Sequence, residues 1–367
     1  MEKSWSDHDP TKPRGRDKPT MKDVAQVAGV SIGTVDRVLH KRGRVAPETA
    51  SRVLEAARSL DFAPNRAASN LSRATPRVFV GLLPFPNQDS GYWRWVVRGI
   101  QKAAAELAHH YVEVEFIYYD RFSSDSFLRA TAGLVHQEPG GIILAPTIEG
   151  ASRKLVEELK PRPVVIIDGT LPGAPVLTTI SADSLESGYI AGKLLDILCE
   201  KKTFLTVTPG MSSHHLQLRR QGFENYFSTT TPGKKTRQAR LDHLNLASDD
   251  QWKLLPHWLE ERRDVAGIFV TNSASHKIVS LLPRGFTPRI IGYDLIAENV
   301  QCLIDGSVDF IMNQHPENQG YKAFYALYRS TVLNEPVPVA DRIPIDLMMR
   351  ENLPFHPEYS GTTGETP

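Results

Sequence analysis

Residues 20–65 read TMKDVAQVAGVSIGTVDRVLHKRGRVAPETASRVLEAARSLDFAPN. Thr20 and Asp23 form a T-x-x-D capping signal, and Val24, Ala25, Val27 and Ala28 supply the apolar stripe of a short helix. Gly29 stops that helix. Ser31 can cap a second one, in which Val35, Val38 and Leu39 share one face while Thr34, Arg37 and Lys41 fall largely on another. Beyond the loop KRGRVA, Pro47 suits the first turn of a third helix, along which Ala50, Val53, Leu54, Ala57 and Leu60 recur at spacings of three and four. The stretch is a small all-α unit in which two short helices meet at a glycine turn.

The rest of the chain has a different texture. The first 75 residues carry 14 Lys/Arg against 9 Asp/Glu, whereas the other 292 carry 29 against 33, so a basic head sits on a mildly acidic body. Residues 1–19 and 357–367 lack any apolar period and read as disordered tails, and residues 64–76 read as a hinge helix too polar to be stable alone in water and a linker ending at Thr75-Pro76. From residue 77 to 356, apolar runs of strand length (77–83, 112–119, 140–145, 163–167, 203–208, 265–270, 289–292 and 309–313) alternate with helical stretches (93–108, 184–199, 213–227 and 316–330). That alternation predicts βαβ units around parallel sheets, and some 280 residues are best divided between two lobes with a cleft between them. Tyr321, Phe324, Tyr325 and Tyr328 fall at helical spacing and are expected in the core. No internal repeat of fixed period stands out.

Residues 20–63, with the Pro-Asn that follows, resemble the DNA-binding head of the LacI/GalR (lactose-repressor) family of bacterial transcription regulators. D-V-A-x-x-A-G-V-S-x-x-T-V, R-V-L, P-E-T, R-V-x-x-A and P-N occur in that order. The resemblance implies a helix-turn-helix whose second helix enters the major groove of double-stranded operator DNA. It places Ser31, Ile32, Gly33, Thr34, Arg37, Lys41, Asn65 and Leu71 at the DNA. Ile32 and Gly33 stand at base-reading positions, Thr34 at a phosphate contact, and Leu71 where a hinge leucine wedges into the minor groove. Gly33 has no side chain to read with, so Arg37 is expected to carry more of the base recognition. Asp36, Phe62 and Ser69 depart from the family's usual serine, tyrosine and arginine. Lys41, Arg42 and Arg44 are either phosphate contacts or a solvated charge run. Paired hinges imply a homodimer or a dimer of dimers.

Residues 77–356 are similar, less tightly, to the periplasmic-binding-protein-like effector core of that family. The whole is therefore expected to be an α/β protein, an all-α helix-turn-helix head joined to a two-lobed core with parallel sheets. Arg219 in L-R-R-Q-G-F, Asn272 in F-V-T-N, Asp294 in I-I-G-Y-D and Gln314 past I-M-N combine fork donors, amides and an acceptor, the set that vicinal hydroxyls of a sugar or polyol require. Trp93, preceded by Tyr92, is the expected stacking platform, and Asp168 at the end of P-V-V-I-I-D a further contact. Each has a plainer reading: Trp93 as a core aromatic, Arg219 and Asp294 as a structural ion pair, Asp168 as a strand-end cap. A purine or nucleoside is the alternative effector.

Other classes fit less well. No G-x-G-x-x-G follows the first strand, P-G-K-K-T at 232–236 lacks the upstream glycine of a phosphate loop, and no G-x-S-x-G occurs, which weighs against a sugar-processing enzyme with a DNA-binding head. His109-His110 and His214-His215 are adjacent pairs that point apart on a helix and are expected at the surface, so no metal and no cofactor is predicted. Cys199 and Cys302 read as buried apolar residues. No run of about 18 apolar residues spans a bilayer and the N-terminus lacks the apolar core of a secretion signal, which predicts a cytoplasmic location and disfavours a transport-type binding protein.

Overall fold

The computed structural model describes residues 19–39, 45–60, 62, 76–210, 213–228 and 239–356. Contacts divide the chain into two units, Met1–Ser72 and Arg73–Pro367.

The first unit contains α1 (Met21–Ala28), α2 (Ile32–Leu39) and α3 (Pro47–Ser59). The capping signal forms as predicted: Thr20 and Asp23 exchange the two hydrogen bonds of a capping box, and Gly29 closes α1 in the left-handed region at φ 62°. The Ser31 hydroxyl accepts the Thr34 amide proton at 3.2 Å and so starts α2. Val24, Ala25, Ala28, Val35, Val53, Ala56 and Ala57 bury against one another, with Phe62 packed at the edge. A core this small leaves the outer face of α2 free of packing duties.

The second unit opens with β1 (Arg77–Pro84), followed by α4 (Tyr92–Glu106), β2 (Val112–Tyr119), α5 (Ser124–Thr131), β3 (Gly141–Leu144), α6 (Glu149–Glu158), β4 (Val164–Ile167) and β5 (Thr178–Ala182). The chain then crosses into a second lobe built from α7 (Ser184–Leu198), β6 (Thr203–Pro209), α8 (His214–Ser228), β7 (Arg240–Leu246), α9 (Asp249–Glu261), β8 (Gly267–Val270), α10 (Ser275–Ser280), β9 (Arg289–Tyr293), α11 (Ala297–Asp305) and β10 (Phe310–Asn313). It returns through α12 (Pro316–Tyr328) and β11 (Ala340–Ile343), then crosses a third time to β12 (Asp346–Met348).

The sheet orders are β11-β5-β4-β3-β1-β2 and β12-β10-β9-β8-β6-β7. All pairings are parallel except β10 with β12. The two lobes thus share one strand order although their sequences show no periodic repeat. Central strands β3, β4 and β8 are fully buried runs of Gly, Ile, Leu, Val and Phe, as helices on both faces demand.

Four strands escape the apolar-run reading. β7 (RLDHLNL) is a half-exposed edge, β5 (TTISA) is polar, and β11 and β12 are short edge strands. None is an uninterrupted apolar run: β5 has the β-branched Thr and Ile of a strand but alternates in burial, and the others are paired by the tertiary fold. The helix 316–330 forms as expected, but its aromatics divide: Phe324 and Tyr328 are buried, whereas Tyr321 and Tyr325 bring their hydroxyls to Glu106 on α4. Cys199 and Cys302 are buried and unbridged. Among the described residues no helix is long and apolar enough to cross a membrane.

Candidate functional site

Two surfaces stand out, one in each unit. On α2, Ser31, Ile32, Gly33 and Arg37 are exposed, with Ile32 48% accessible at the very start of the helix. An aliphatic side chain displayed there gains nothing from solvent. The guanidinium of Arg37 lies beside Gly33, whose added Cβ would stand in ordinary contact with it at 3.9 Å. Thr34 is half-buried and its hydroxyl shares a 3.0 Å hydrogen bond with Ser31. Lys41, Asn65 and Leu71, expected at the same surface, lie outside the described residues.

The second surface is the cleft between the lobes, and it is built at the carboxyl ends of strands. Asp89 follows β1, Arg121 follows β2, Asp168 ends β4, Asn272 and Ser273 follow β8, Asp294 ends β9 and Gln314 follows β10. Open α/β sheets present their polar loops at this edge. Asp168 and Asp294 take equivalent left-handed conformations, φ 56° and 66°, which turn each carboxylate off its strand and into the cleft.

Arg219 on α8 is the centre of the arrangement and is 3% exposed. It donates from Nη1 to the Thr271 carbonyl at 2.8 Å and from Nη2 to Gln314 Oε1 at 2.9 Å, and its guanidinium lies 3.8 Å from the centre of the Tyr293 ring. Gln314 in turn donates to Asp294 Oδ1 at 3.0 Å. Across the cleft, the Tyr92 hydroxyl donates to Asp168 Oδ1 at 2.7 Å, and the Asp168 amide donates to Gln319, which itself donates to the Gln314 carbonyl. Asp89 pairs with Arg121, also buried. Of the predicted cleft residues, Asp168, Arg219, Asn272, Asp294 and Gln314 converge.

Two expectations need correction. Trp93 does not line the cleft: it is 1% exposed within the core of the first lobe, and its indole donates to Asp89 at 2.9 Å. Adjacent helical residues point apart, so the ring reaching the cleft is Tyr92, set edge-on to Trp93. His215 is no surface residue either. It lies in the first turn of α8 at the cleft, where burial and the cations Arg219 and Arg121 hold its imidazole well below the ordinary range, hence neutral. Its neighbour Gly169 belongs to the other lobe, and a Cβ there would meet the imidazole at 3.4 Å.

Asp89, Tyr92, Arg121 and Ser273 are cleft residues that sequence reasoning missed, although inspecting the two to five residues past every strand would have found Asp89 and Arg121. The lobes also touch directly. Ser273 Oγ donates to the Asp89 carbonyl at 3.3 Å, and Ser90 Oγ lies 3.3 Å from His276 Nε2. The cavity between them measures about 20 Å³, space for one solvent molecule, so a larger guest requires the lobes to part.

Burial raises the Asp294 carboxyl to about 8 and Asp168 to about 6, against the opposing pull of Arg219. In the unfolded chain both titrate near about 4. Between these values the folded state holds more protons than the unfolded one, so this contribution to stability is complete at the acid end and is lost as pH rises toward 8. Below about 6.5 the depressed imidazole of His215 works the other way, so the net fall of the urea midpoint is expected between pH 6.5 and 8, and Asp294→Asn is expected to flatten it. An Asp294→Asn midpoint that still falls as steeply there would show that Asp294 does not titrate in it.

The family model for bacterial regulatory proteins of the lacI family matches residues 20–65, and that for a periplasmic binding protein domain matches residues 80–332. The chain belongs to the LacI family. The sucrose operon repressor of Lactococcus lactis is 24% identical over 338 residues, 90% of this chain and 92% of that repressor. The transcriptional repressor PurR of Mannheimia succiniciproducens is 28% identical over 177 residues, and the aligned part spans 48% of this chain and 51% of that protein. Among solved structures, a Bacteroides fragilis chain assigned as a LacI transcriptional regulator superposes with a TM-score of 0.70 at 27% identity, covering 77% of this chain and 100% of that one. This LacI-family chain is a DNA-binding transcriptional regulator with a ligand-controlled core, and the Lactococcus lactis and Mannheimia succiniciproducens relatives are named as repressors.

Proposed function

We propose that the chain represses transcription from an operator read by α2, and that a sugar or polyol bound between the lobes changes its affinity for that operator. The observation that carries the choice of effector is the composition of the cleft: three carboxyl groups and two guanidiniums surround the amides of Asn272 and Gln314 and the phenol of Tyr92. Vicinal hydroxyls donate and accept at once and match such a set, with Asp168 and Asp89 accepting, the carboxyl of Asp294, protonated up to about pH 8, able to donate or accept, and Arg219 and Arg121 donating. A purine favours rings on both of its faces, whereas among the described lining residues polar and charged groups outnumber the two rings, Tyr92 and His215. The relative named as a sucrose operon repressor agrees with the first reading; the one named PurR keeps the second worth testing.

In the head, Arg37 grips a base edge or phosphate, Ile32 meets a thymine methyl beside Gly33, which has no side chain to read with, and Thr34 contacts a phosphate. Two heads are needed for a pseudo-palindromic operator, so the acting form is a homodimer or a pair of dimers. An effector alters DNA affinity only through its differential affinity for the open and closed lobe arrangements.

The test is a thermal-shift screen of the full chain against monosaccharides, polyols, sugar acids, sugar phosphates and nucleobases, since a ligand confined to the folded state raises its melting temperature. A sugar or polyol hit is expected; a response to nucleobases alone would transfer the assignment to the purine reading. With the hit in hand, Asp294→Ala should abolish the shift while leaving operator binding, measured at fixed salt, unchanged. Arg37→Ala should do the opposite, weakening operator binding by about tenfold to a hundredfold, the equivalent of one good base or charged contact. Loss of both functions in either variant would sink the division of labour.

A further inference from the structure

Away from the cleft, three side chains with metal-ligating atoms meet where the chain passes between lobes. His315 stands at the second crossover, in the left-handed region at φ 50° just before α12. Asp346 opens β12 immediately after the third crossover, and the antiparallel register of β10 and β12 sets it opposite Asn313. His356 closes the short helical turn Leu353–Phe355 and is 7% exposed. Two imidazoles and one carboxylate, drawn from residues far apart in sequence, present one ligating atom each within 4.8 Å of one another.

We infer that His315, Asp346 and His356 form a binding site for a divalent transition cation of the Zn²⁺ type, which fastens two interlobe crossovers together. The spacing fits. Both Nε2 atoms approach the same carboxylate oxygen, His315 at 3.0 Å and His356 at 3.4 Å, close to the edge of about 3.3 Å in a tetrahedron with Zn–ligand bonds of about 2.0–2.1 Å. The tautomer fits as well. Asn313 Oδ1 accepts the His315 backbone amide, which turns its NH₂ toward His356 Nε2 at 3.4 Å, and with a cation bound to the carboxylate this leaves Nε2 to present its lone pair. The neutral imidazole is the form that ligates metals. Imidazole nitrogen with one carboxylate selects Zn²⁺ and its transition-metal neighbours over Mg²⁺ or Ca²⁺, which prefer all-oxygen shells. Three protein ligands and a partly exposed carboxylate leave the remaining coordination positions to solvent.

The plainer role for this cluster is a carboxylate that merely accepts hydrogen bonds from two histidines, and the variants separate the two. Tag-free full-length protein is titrated calorimetrically with Zn²⁺ in a non-chelating buffer, and with Co²⁺ followed by its visible absorption. One Zn²⁺ per chain and a four-coordinate Co²⁺ spectrum are expected. His356→Ala and Asp346→Asn should each weaken binding by at least about a hundredfold, the upper end of what loss of an indirect partner costs a metal site. Asp346→Asn still offers a hydrogen-bond acceptor, so its melting temperature should stay near that of the metal-free parent while Zn²⁺ no longer raises it. No saturable Zn²⁺ binding, or binding that Asp346→Asn and His356→Ala leave intact, would overturn the assignment.

Discussion

Replacing Arg219 by methionine should cost the core on the order of 3–5 kcal/mol, the usual effect of removing one partner from a buried charged cluster, and abolish the response to effector altogether. Arg219 is the cation that offsets burial of both Asp294 and Asp168, and no other guanidinium reaches Thr271 and Gln314 from α8. Without it Asp294 is driven further toward its protonated form, Gln314 loses the partner of its carbonyl, and Tyr293 loses the cation on its face. The loss is read as a lowered urea midpoint together with a flat thermal-shift titration. Arg219→Lys separates charge from geometry. A lysine restores much of the stability but cannot make the two-pronged contact, so the titration should stay flat. A methionine variant as stable as the parent would show that the cluster is not held by this residue.

Gly188→Ala, far smaller in chemical terms, is expected to be nearly as damaging. An added Cβ at Gly188 would stand 1.8 Å from the carbonyl oxygen of Arg219 itself, and one at Gly222 would stand 1.9 Å from the carbonyl of Leu185. α7 and α8 therefore cross backbone to backbone through a glycine from each, and the helix carrying Arg219 can sit at the cleft only because of that approach. The first lobe repeats the device, with Gly99 of α4 against the Glu317 carbonyl and Gly320 of α12 against that of Val96. Overpacking ordinarily costs about 1–3 kcal/mol. Here the obstacle is backbone, which cannot rotate aside, so the variant should exceed that range or fold with α8 displaced and the effector response lost. Gly150→Ala in α6, where an added Cβ meets nothing within 4 Å, is the control and should be neutral or stabilising by up to about 1 kcal/mol. Comparable urea midpoints for the two variants would refute the close-packing account.

The head was legible residue by residue. Caps, stops and the apolar stripe of α1 to α3 are local signals, and a motif as dense as D-V-A-x-x-A-G-V-S leaves little for tertiary context to decide. The central strands were equally clear, because burial on both faces demands uninterrupted apolar runs such as Val164–Ile167. In the cleft, Asp294, Gln314 and Asn272 could be named in advance because strand ends in an α/β sheet mark the binding edge, and Arg219, which lies within α8, because L-R-R-Q-G-F resembles a motif of the family. Trp93 and Tyr92 could not be ordered by sequence, since neighbouring aromatics on a helix differ only in which one faces the core, and packing alone settles that. The same limit hid His215, which looks like half of a surface pair until α8 brings it beside Gly169 of the other lobe.

Sequence by itself determined that a helix-turn-helix head precedes a two-lobed α/β core, because periodicity, capping and motif spacing act over a few residues. The tertiary structure alone decided what meets across long separations: Asp89 with Arg121, Asp168 with Tyr92, and His315 with Asp346 and His356. These encounters depend on three chain crossings between lobes and on edge strands such as β12, whose pairing is written in neither composition nor period but in the closure of the fold.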